Sequence, residues 1–150
     1  MREYGEEKPI YFTEVGWPTF LQDTTELPSW AADVYGYSHT EQAATQILVH
    51  AYSEAHNMCE LITQYCLYDR DNDNEIETTW GIVNSWVDQN DPPNGVKPAF
   101  LSLAAFNDFT GANGEFKELI EDGRFYAFHY YNDKYKKDVM LLQAGEGEKI

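Results

Sequence analysis

The chain has 150 residues and a net charge of −16, from 26 acidic and 10 basic side chains. A surface of this sign repels nucleic acid and anionic membranes, so we expect neither as a partner. With 43% hydrophobic and 15% aromatic residues, the composition excludes a disordered chain and supports a globular core.

The first predicted strand covers residues 9–15, Pro-Ile-Tyr-Phe-Thr-Glu-Val. Its aromatic and β-branched residues favour a strand, and Gly16-Trp17-Pro18 ends it. Glu14 lies near the end of this apolar run. A carboxylate at the mouth of a buried parallel strand is costly unless it is hydrogen-bonded or reacts, and barrel enzymes place catalytic residues there. Pairing with a neighbouring basic residue is the plainer alternative, and we favour a catalytic role.

A long loop over residues 16–37 leads to Ser38 and Glu41, whose spacing is that of a capping box. Apolar residues at helical spacing follow, so a helix is predicted to end near residues 56–57. Residues 61–68 form a second predicted strand. Strand, helix and strand in this order predict a parallel pair with a right-handed crossover.

The rest of the chain divides into two kinds of structure. An acidic loop over residues 69–77 and a short extended piece over 78–83 precede a helix over 97–107, with Pro98 in its first turn. Beyond about residue 113 the pattern changes to strands. Their predicted ranges are 115–120, 124–131 and 138–143, with a turn at Asp122-Gly123 and a hairpin connection over 132–137.

Neither a disulfide nor a metal site is expected. Cys59 and Cys66 are seven residues apart, on or beside one predicted strand. An extended chain separates them by roughly 23 Å, so both thiols should be free, and the cellular compartment is left undetermined. The carboxylates at 69, 71 and 73 alternate as in a calcium loop, but Asn74 and Trp80 occupy the positions of its Gly and Glu. We therefore predict a solvated acidic loop, with opportunistic calcium binding as the alternative. The four histidines have no partner at ligand spacing and are interpreted as ordinary: His39, His50, His56 and His129.

The order of these segments resembles the carboxyl-terminal part of clan-A glycoside hydrolases, the retaining (β/α)8-barrel glycosidases. Residues 8–18, Lys-Pro-Ile-Tyr-Phe-Thr-Glu-Val-Gly-Trp-Pro, are similar to the seventh barrel strand. Three later motifs look like the eighth strand, its long loop and the closing helix: Tyr65-Cys-Leu-Tyr-Asp69, Glu77-Thr-Thr-Trp-Gly-Ile-Val83 and Lys97-Pro-Ala-Phe-Leu-Ser-Leu103. A lone Thr-Glu-x-Gly-Trp is only suggestive, whereas these motifs at ordered distances are specific.

The resemblance implies that Glu14 is the nucleophile. In a retaining mechanism one carboxylate forms a glycosyl-enzyme ester, and a second carboxyl group about 5 Å away protonates the leaving oxygen and then activates water. This chemistry requires no cofactor. The family carries its acid/base in an Asn-Glu pair on the fourth strand. The Asn-Glu pair of this chain, Asn74-Glu75, lies in the acidic loop and is not assigned that role.

The resemblance also implies a fragment. Residues 1–113 would be the seventh and eighth barrel strands with their helices, and residues 114–150 the start of a truncated β-sandwich-like domain. A closed barrel needs eight strands and about 250 residues, so six strands and the acid/base are expected upstream. The predicted fold is therefore α/β, the end of a barrel followed by antiparallel strands. A carbohydrate is the expected substrate, and the missing part of the barrel is the required partner.

Three aromatic residues are candidate substrate contacts, since an aromatic face packs on the apolar face of a pyranose: Trp17, Tyr68 and Trp80. Trp17 is equally suited to filling a loop core, and for Trp80 packing beneath the loop is favoured over ligand contact. Tyr65 is an alternative to Tyr68, because residues three apart on a strand point to opposite faces.

Two other interpretations stay open. A non-catalytic carbohydrate-binding or structural α/β module would use the aromatic residues and keep Glu14 as a polar anchor. The other is a self-contained small α/β fold, for which dimerisation is one way to cover the open sheet edges. Since unpaired strands promote aggregation, solubility of the isolated chain as a monomer would favour this interpretation. The sugar, the linkage and endo or exo action are not determined by the sequence.

Overall fold

The protein is described from a computed structural model that covers residues 9–20, 27–31, 33–70, 76–84 and 96–144. Its strands and α-helices are β1 (Tyr11–Val15), α1 (His39–Ala55), β2 (Leu61–Gln64), α2 (Pro98–Thr110), β3 (Gly114–Glu121), β4 (Phe125–Asn132) and β5 (Lys137–Ala144). Two short 3-10 turns lie at Ser29–Ala31 and Ile76–Thr78.

Strands β1 and β2 pair in parallel, with Tyr11 opposite Leu61, and α1 connects them along the chain. The predicted strand–helix–strand unit is therefore present. Strand β2 ends four residues earlier than predicted, at Gln64, and the Tyr65–Cys66 peptide bond is cis. The following residues bond to the segment 80–83 instead of to β1, for example through Val83 N–H to the Leu67 carbonyl at 2.9 Å. That exchange of partners ends the strand.

The capping box that begins α1 is confirmed. The Ser38 side chain accepts from the Glu41 N–H at 3.2 Å, and the Glu41 carboxylate accepts from the Ser38 N–H at 2.8 Å. These bonds satisfy two N–H groups that the first helical turn leaves without partners. The helix closes at His56, where the sequence predicted its end.

Helix α2 begins as predicted, with Pro98 in its first turn, because the missing proline N–H has no intrahelical partner there in any case. It ends at Thr110, and Gly111 caps it. The small residue Ala99 is fully buried against Ala43 of α1 and Ile82 of the preceding segment. This contact fixes the start of α2 beside the loops that follow β1 and β2.

The last three strands form an antiparallel sheet in the order β3-β4-β5. Its inner face packs against α1 and α2 through a cluster built around Ala51, Phe128 and Tyr130. Edge-to-face aromatic contacts join the sheet to the helices, for example Tyr52 to Phe128 at 4.9 Å between ring centroids. The antiparallel strands therefore share a core with the helices, while the predicted domain boundary at residue 114 stays a prediction.

The described part of the chain contains a two-stranded parallel sheet and a three-stranded antiparallel sheet. The mixed α/β class is confirmed, whereas a barrel is not shown. The cysteines are free, as predicted. None of the described helices is long and apolar enough to cross a membrane.

Candidate functional site

Glu14 lies on β1 at a β-bulge. The register against β2 shifts by one residue between Phe12 and Val15, so Thr13 and Glu14 together face only Thr63. Strict alternation would turn Glu14 to the half-buried side of Phe12, but the bulge leaves Thr13 and Glu14 both exposed. Among the residues that the structure describes, the Glu14 carboxylate has no hydrogen bond and no ion pair. It is an accessible carboxylate at the carboxyl end of a parallel strand.

Gly16 brings the end of β1 against two aromatic side chains. A Cβ at this position would lie 2.0 Å from the Tyr65 carbonyl oxygen and 3.3 Å from the Trp80 ring, so only glycine permits the approach. The Tyr65 and Trp80 rings meet edge to face, 6.1 Å apart between centroids. Glu14 precedes this contact by two residues. The segment that carries the predicted nucleophile therefore packs, through Gly16, against an aromatic pair.

The three predicted substrate contacts occupy different environments. Trp80 is half-buried and packs on a small core of Phe20, Ala31 and Ile76, as its packing interpretation expects. Tyr68 is 47% exposed and forms an isolated bridge with Val83. Trp17 is half-buried in the loop after β1. Their contacts with a sugar stay predictions.

Lys97 is the centre of a buried polar cluster that sequence reasoning missed. Its Nζ donates to Asp69 Oδ1 at 2.8 Å, to Thr19 Oγ1 at 2.8 Å and to the Thr79 carbonyl at 3.4 Å. Asp69 Oδ1 also accepts from the Gly81 N–H at 2.8 Å. The lysine side chain is only 1% exposed. One cation thus joins the loop after β1, the segment after β2 and the start of α2.

Burial moves both members of this pair toward neutrality. It raises the pKa of the Asp69 carboxyl above its ordinary value, against the opposing effect of Lys97. It lowers the pKa of the Lys97 ammonium, against the opposing effect of Asp69. In both groups the cost of desolvation exceeds the gain from the attraction between the charges, so the pair is weak evidence for net stabilisation.

Gln42 of α1 makes a second connection between the two loops. Its Nε2 donates to the Trp17 carbonyl at 2.8 Å and to the Gly81 carbonyl at 3.0 Å. The residue is fully buried. Since a buried carbonyl without a donor is destabilising, these bonds fix the backbone of Trp17 relative to Gly81.

The prediction of a solvated acidic loop is wrong for its first residue. Asp69 is 9% exposed and ion-paired rather than hydrated. Its neighbours Asp71, Asp73, Asn74 and Glu75 lie outside the described residues. The described part of the chain contains no cluster of three His, Cys, Asp or Glu side chains suited to a metal ion.

His129 has partners that the sequence did not predict. On β4 it lies between two carboxylates, with Nε2 2.8 Å from Asp138 of β5 and Nδ1 3.4 Å from Glu118 of β3. The hydrogen bond with Asp138 is the main reason that the pKa of His129 is raised above its ordinary value. These residues are nine and eleven positions away, and only the sheet register brings them together. The other three histidines lie on α1 or at its end, and none of them bonds to Glu14.

No local sequence pattern signals the Lys97 cluster, since both chain neighbours of this lysine, Val96 and Pro98, are exposed. Its partners Thr19, Asp69 and Thr79 carry no pattern that links them. They meet only because three separate segments fold onto one helix terminus.

One solved structure shares this fold, a family 39 glycoside hydrolase from the gut symbiont Bacteroides cellulosilyticus WH2. The two agree with a TM-score of 0.66 at 18% sequence identity, over 96% of this chain and 25% of the other. The chain therefore spans a quarter of the length of that enzyme. No family model and no curated protein matches the sequence.

Proposed function

We propose that this chain is the carboxyl-terminal part of a retaining β-glycoside hydrolase and that Glu14 is its nucleophile. The similarity of fold to a glycoside hydrolase, over a quarter of that enzyme, supports a glycosidase-related fragment. The single observation that carries the nucleophile is the bulge of β1, where Glu14 is exposed at the carboxyl end of a parallel strand, two residues before the close approach of Gly16 to the Trp80 ring. Bulges next to active sites commonly redirect a side chain in this way.

In the proposed reaction Glu14 is ionised and attacks the anomeric carbon. A glycosyl ester forms at a Glu14 carboxylate oxygen as the bond to the leaving oxygen breaks, and a second carboxyl group gives that oxygen its proton. The same group then takes a proton from water, whose oxygen displaces Glu14 and releases the sugar. The second carboxyl group is assigned to the part of the enzyme outside this chain. Trp17, Tyr68 and Trp80 are the proposed platforms for the sugar rings.

The parallel sheet offers a surface for the rest of the barrel. Strands β1 and β2 pair only with each other in the described part of the chain, so each has an open edge. Large apolar side chains on these strands and just after them are about half exposed: Tyr11 52%, Leu61 51%, Tyr65 42% and Leu67 50%. Since such a surface is unfavourable in water, we propose that upstream barrel strands cover it.

A non-catalytic carbohydrate-binding module is the second candidate. The exposed rings of Tyr65, Tyr68 and Tyr35 favour it, because they could stack on a sugar without any bond being cleaved. The two candidates differ in what Glu14 does. A binding module keeps its function when this carboxylate is replaced by an amide, whereas a hydrolase does not.

The deciding experiment replaces Glu14 in the longer polypeptide that carries this chain. For Glu14→Gln we expect turnover of an aryl glycoside to fall by roughly 10⁴-fold or more, with sugar affinity retained, because the amide is a poor nucleophile. Glu115→Gln is the matched control, since that exposed carboxylate lies on β3 and pairs with Lys117. Unchanged turnover in Glu14→Gln would exclude the nucleophile role.

The isolated 150 residues are expected to show no turnover. The reason is that a retaining mechanism needs a second carboxyl group on the opposite side of the bond, and none is assigned within this chain. An aryl-glycoside assay with a chromogenic leaving group tests this directly. Hydrolysis by the isolated chain that disappears in Glu14→Gln would contradict the assignment of the acid/base to an upstream segment.

A further inference from the structure

The three candidate sugar platforms share one structural relationship. Each lies within two residues of a group that the Lys97 ammonium binds. The pairs are Trp17 with Thr19, Tyr68 with Asp69, and Trp80 with Thr79. A single side chain, that of the residue directly before α2, therefore bonds to every segment that carries a proposed platform.

We propose that Lys97 is a positioning residue, which holds the loop after β1 and the segments after β2 in the relative placement that sugar binding and attack by Glu14 require. This inference rests on the proposed function. Lys97 lies beneath the platforms and does not contact the substrate in this proposal. Its role is to fix the distance between backbones that carry the contacting side chains.

The cost of burying the ammonium supports a role beyond cohesion. A lysine is almost never fully buried unless it is paired, and an apolar side chain of similar size commonly fills such a position at lower cost. An apolar residue would pack in the same space but would form no hydrogen bonds to the loops. Lys97 instead donates to a carboxylate, a hydroxyl and a carbonyl from three separate segments. These three hydrogen bonds point in different directions and fix the relative positions of the loops, which packing alone cannot do.

The backbone next to the Lys97 cluster is also closely packed. Asp69 binds Lys97 and the Gly81 N–H through the same oxygen. A Cβ at Gly81 would lie 2.1 Å from the Asp69 nitrogen, so the two segments are in close contact. A shift of Asp69 would therefore move Gly81 and, with it, Trp80. Since a displacement of about 1 Å in a reacting group can cost about 10²-fold in rate, loosening this cluster should reduce catalysis.

The test uses the longer polypeptide and an aryl glycoside. For Lys97→Met, which keeps the length and removes the charge, we expect kcat/KM to fall by about 10- to 100-fold at a temperature where circular dichroism shows the variant folded. Lys134→Met is the control, because it removes another lysine–aspartate pair, Lys134 with Asp108, that lies on the surface. That variant should stay within two-fold of the wild type.

A gentler pair of variants covers the case in which Lys97→Met does not fold. Thr19→Val keeps the shape of the side chain but removes the oxygen that accepts from Lys97, whereas Thr19→Ser keeps that oxygen. We expect Thr19→Val to lower kcat/KM several-fold at temperatures where it is as fully folded as Thr19→Ser, and Thr19→Ser to behave as the wild type. A purely structural role would move the melting temperature and leave the kinetic constants unchanged.

The outcomes separate this inference from the proposed function. If Glu14→Gln abolishes turnover while Thr19→Val and every folded Lys97→Met sample keep full kcat/KM, the positioning role is overturned and the hydrolase stands. If Glu14→Gln leaves turnover unchanged, the hydrolase is overturned and the positioning role with it. Loss of kcat/KM in Thr19→Val but not in Thr19→Ser supports Lys97.

Discussion

At the residue scale, the buried pair of Lys97 and Asp69 has the largest predicted effect on stability. Lys97→Met leaves the Asp69 carboxylate buried without its cation, which should lower the free energy of unfolding by about 3–5 kcal/mol at neutral pH. Asp69→Asn in the same background should recover part of the loss, because the amide oxygen still accepts from Gly81 and carries no charge. Urea denaturation of the single and double variants measures both quantities. A double variant no more stable than the single would contradict the unpaired-charge explanation.

The same pair predicts a pH dependence. Burial raises the pKa of Asp69, so the folded protein holds a proton on this group at pH values where the unfolded chain has lost it. Stability from that proton is present at low pH and is lost as the pH rises through the raised pKa. Without Lys97 the pKa rises further, so the deficit of Lys97→Met relative to the wild type should narrow as the pH is lowered from 7. A deficit that stays constant over this range would exclude Asp69 as its cause.

His129, on the surface of the sheet, gives a pH dependence of the same sign from a different cause, because its charged form is stabilised rather than desolvated. Its pKa is raised by Asp138 and Glu118, so the stabilising charged form is fully present below the ordinary histidine pKa and is lost as the pH rises through the raised value. NMR titration of the imidazole should report a pKa above 6.5, the ordinary value for histidine. Asp138→Asn should lower it more than Glu118→Gln does, because the Asp138 contact is shorter. Equal effects of the two variants would contradict this ranking.

At the element scale, α1 carries two buried glutamines, four residues apart, with different surroundings. Gln42 donates to the carbonyls of Trp17 and Gly81. The amide of Gln46 is fully buried, and among the described residues it has no hydrogen-bond partner. The same helix face therefore contains one residue that fixes loops and one that gains nothing from its polarity.

The substitution of methionine at each position tests this difference. Gln42→Met should lower the free energy of unfolding by about 1–3 kcal/mol, because two buried carbonyls lose their donor. Gln46→Met should be neutral or stabilising, because it removes polar atoms without partners and keeps the volume. Thermal denaturation of the two variants provides the comparison. Equal losses at both positions would mean that packing, and not hydrogen bonding, determines the change in the free energy of unfolding.

The elements were predicted with uneven success, and the failures have one cause. The capping box and the proline start of α2 are local signals, and both helices begin where these signals predict. Strand β2 ends early because the residues from Cys66 onward bond to a segment about fifteen positions ahead. The bulge at Glu14 likewise depends on pairing with β2. No local pattern reports an exchange of partners between distant segments.

At the scale of the whole molecule, the open parallel sheet and the net charge of −16 have opposing effects. The exposed apolar surface favours association, while the repulsion between acidic chains opposes it. Salt screens the repulsion but not the apolar attraction. We therefore expect the isolated chain to self-associate more strongly at high salt than at low salt, as measured by size-exclusion chromatography with light scattering.

A matched pair of variants locates the associating surface. Leu61→Lys places a charge on β2 and should reduce association. Leu142→Lys changes a residue of similar exposure on the antiparallel sheet, 53% against 51% for Leu61, and should leave association unchanged. A chain that stays monomeric at both salt concentrations would instead favour the self-contained α/β interpretation and weaken the proposal of missing barrel strands.

The sequence by itself determined the helices, the parallel unit, the free cysteines and the motif that singles out Glu14, because each depends on residues close together in the chain or on a resemblance carried by short motifs. Only the tertiary structure decided which groups surround that motif. Lys97, Asp69 and Thr19 meet through segments as many as 78 positions apart. Their polar atoms are buried, so each had to find a partner wherever the fold placed one, and that requirement leaves no trace in local spacing.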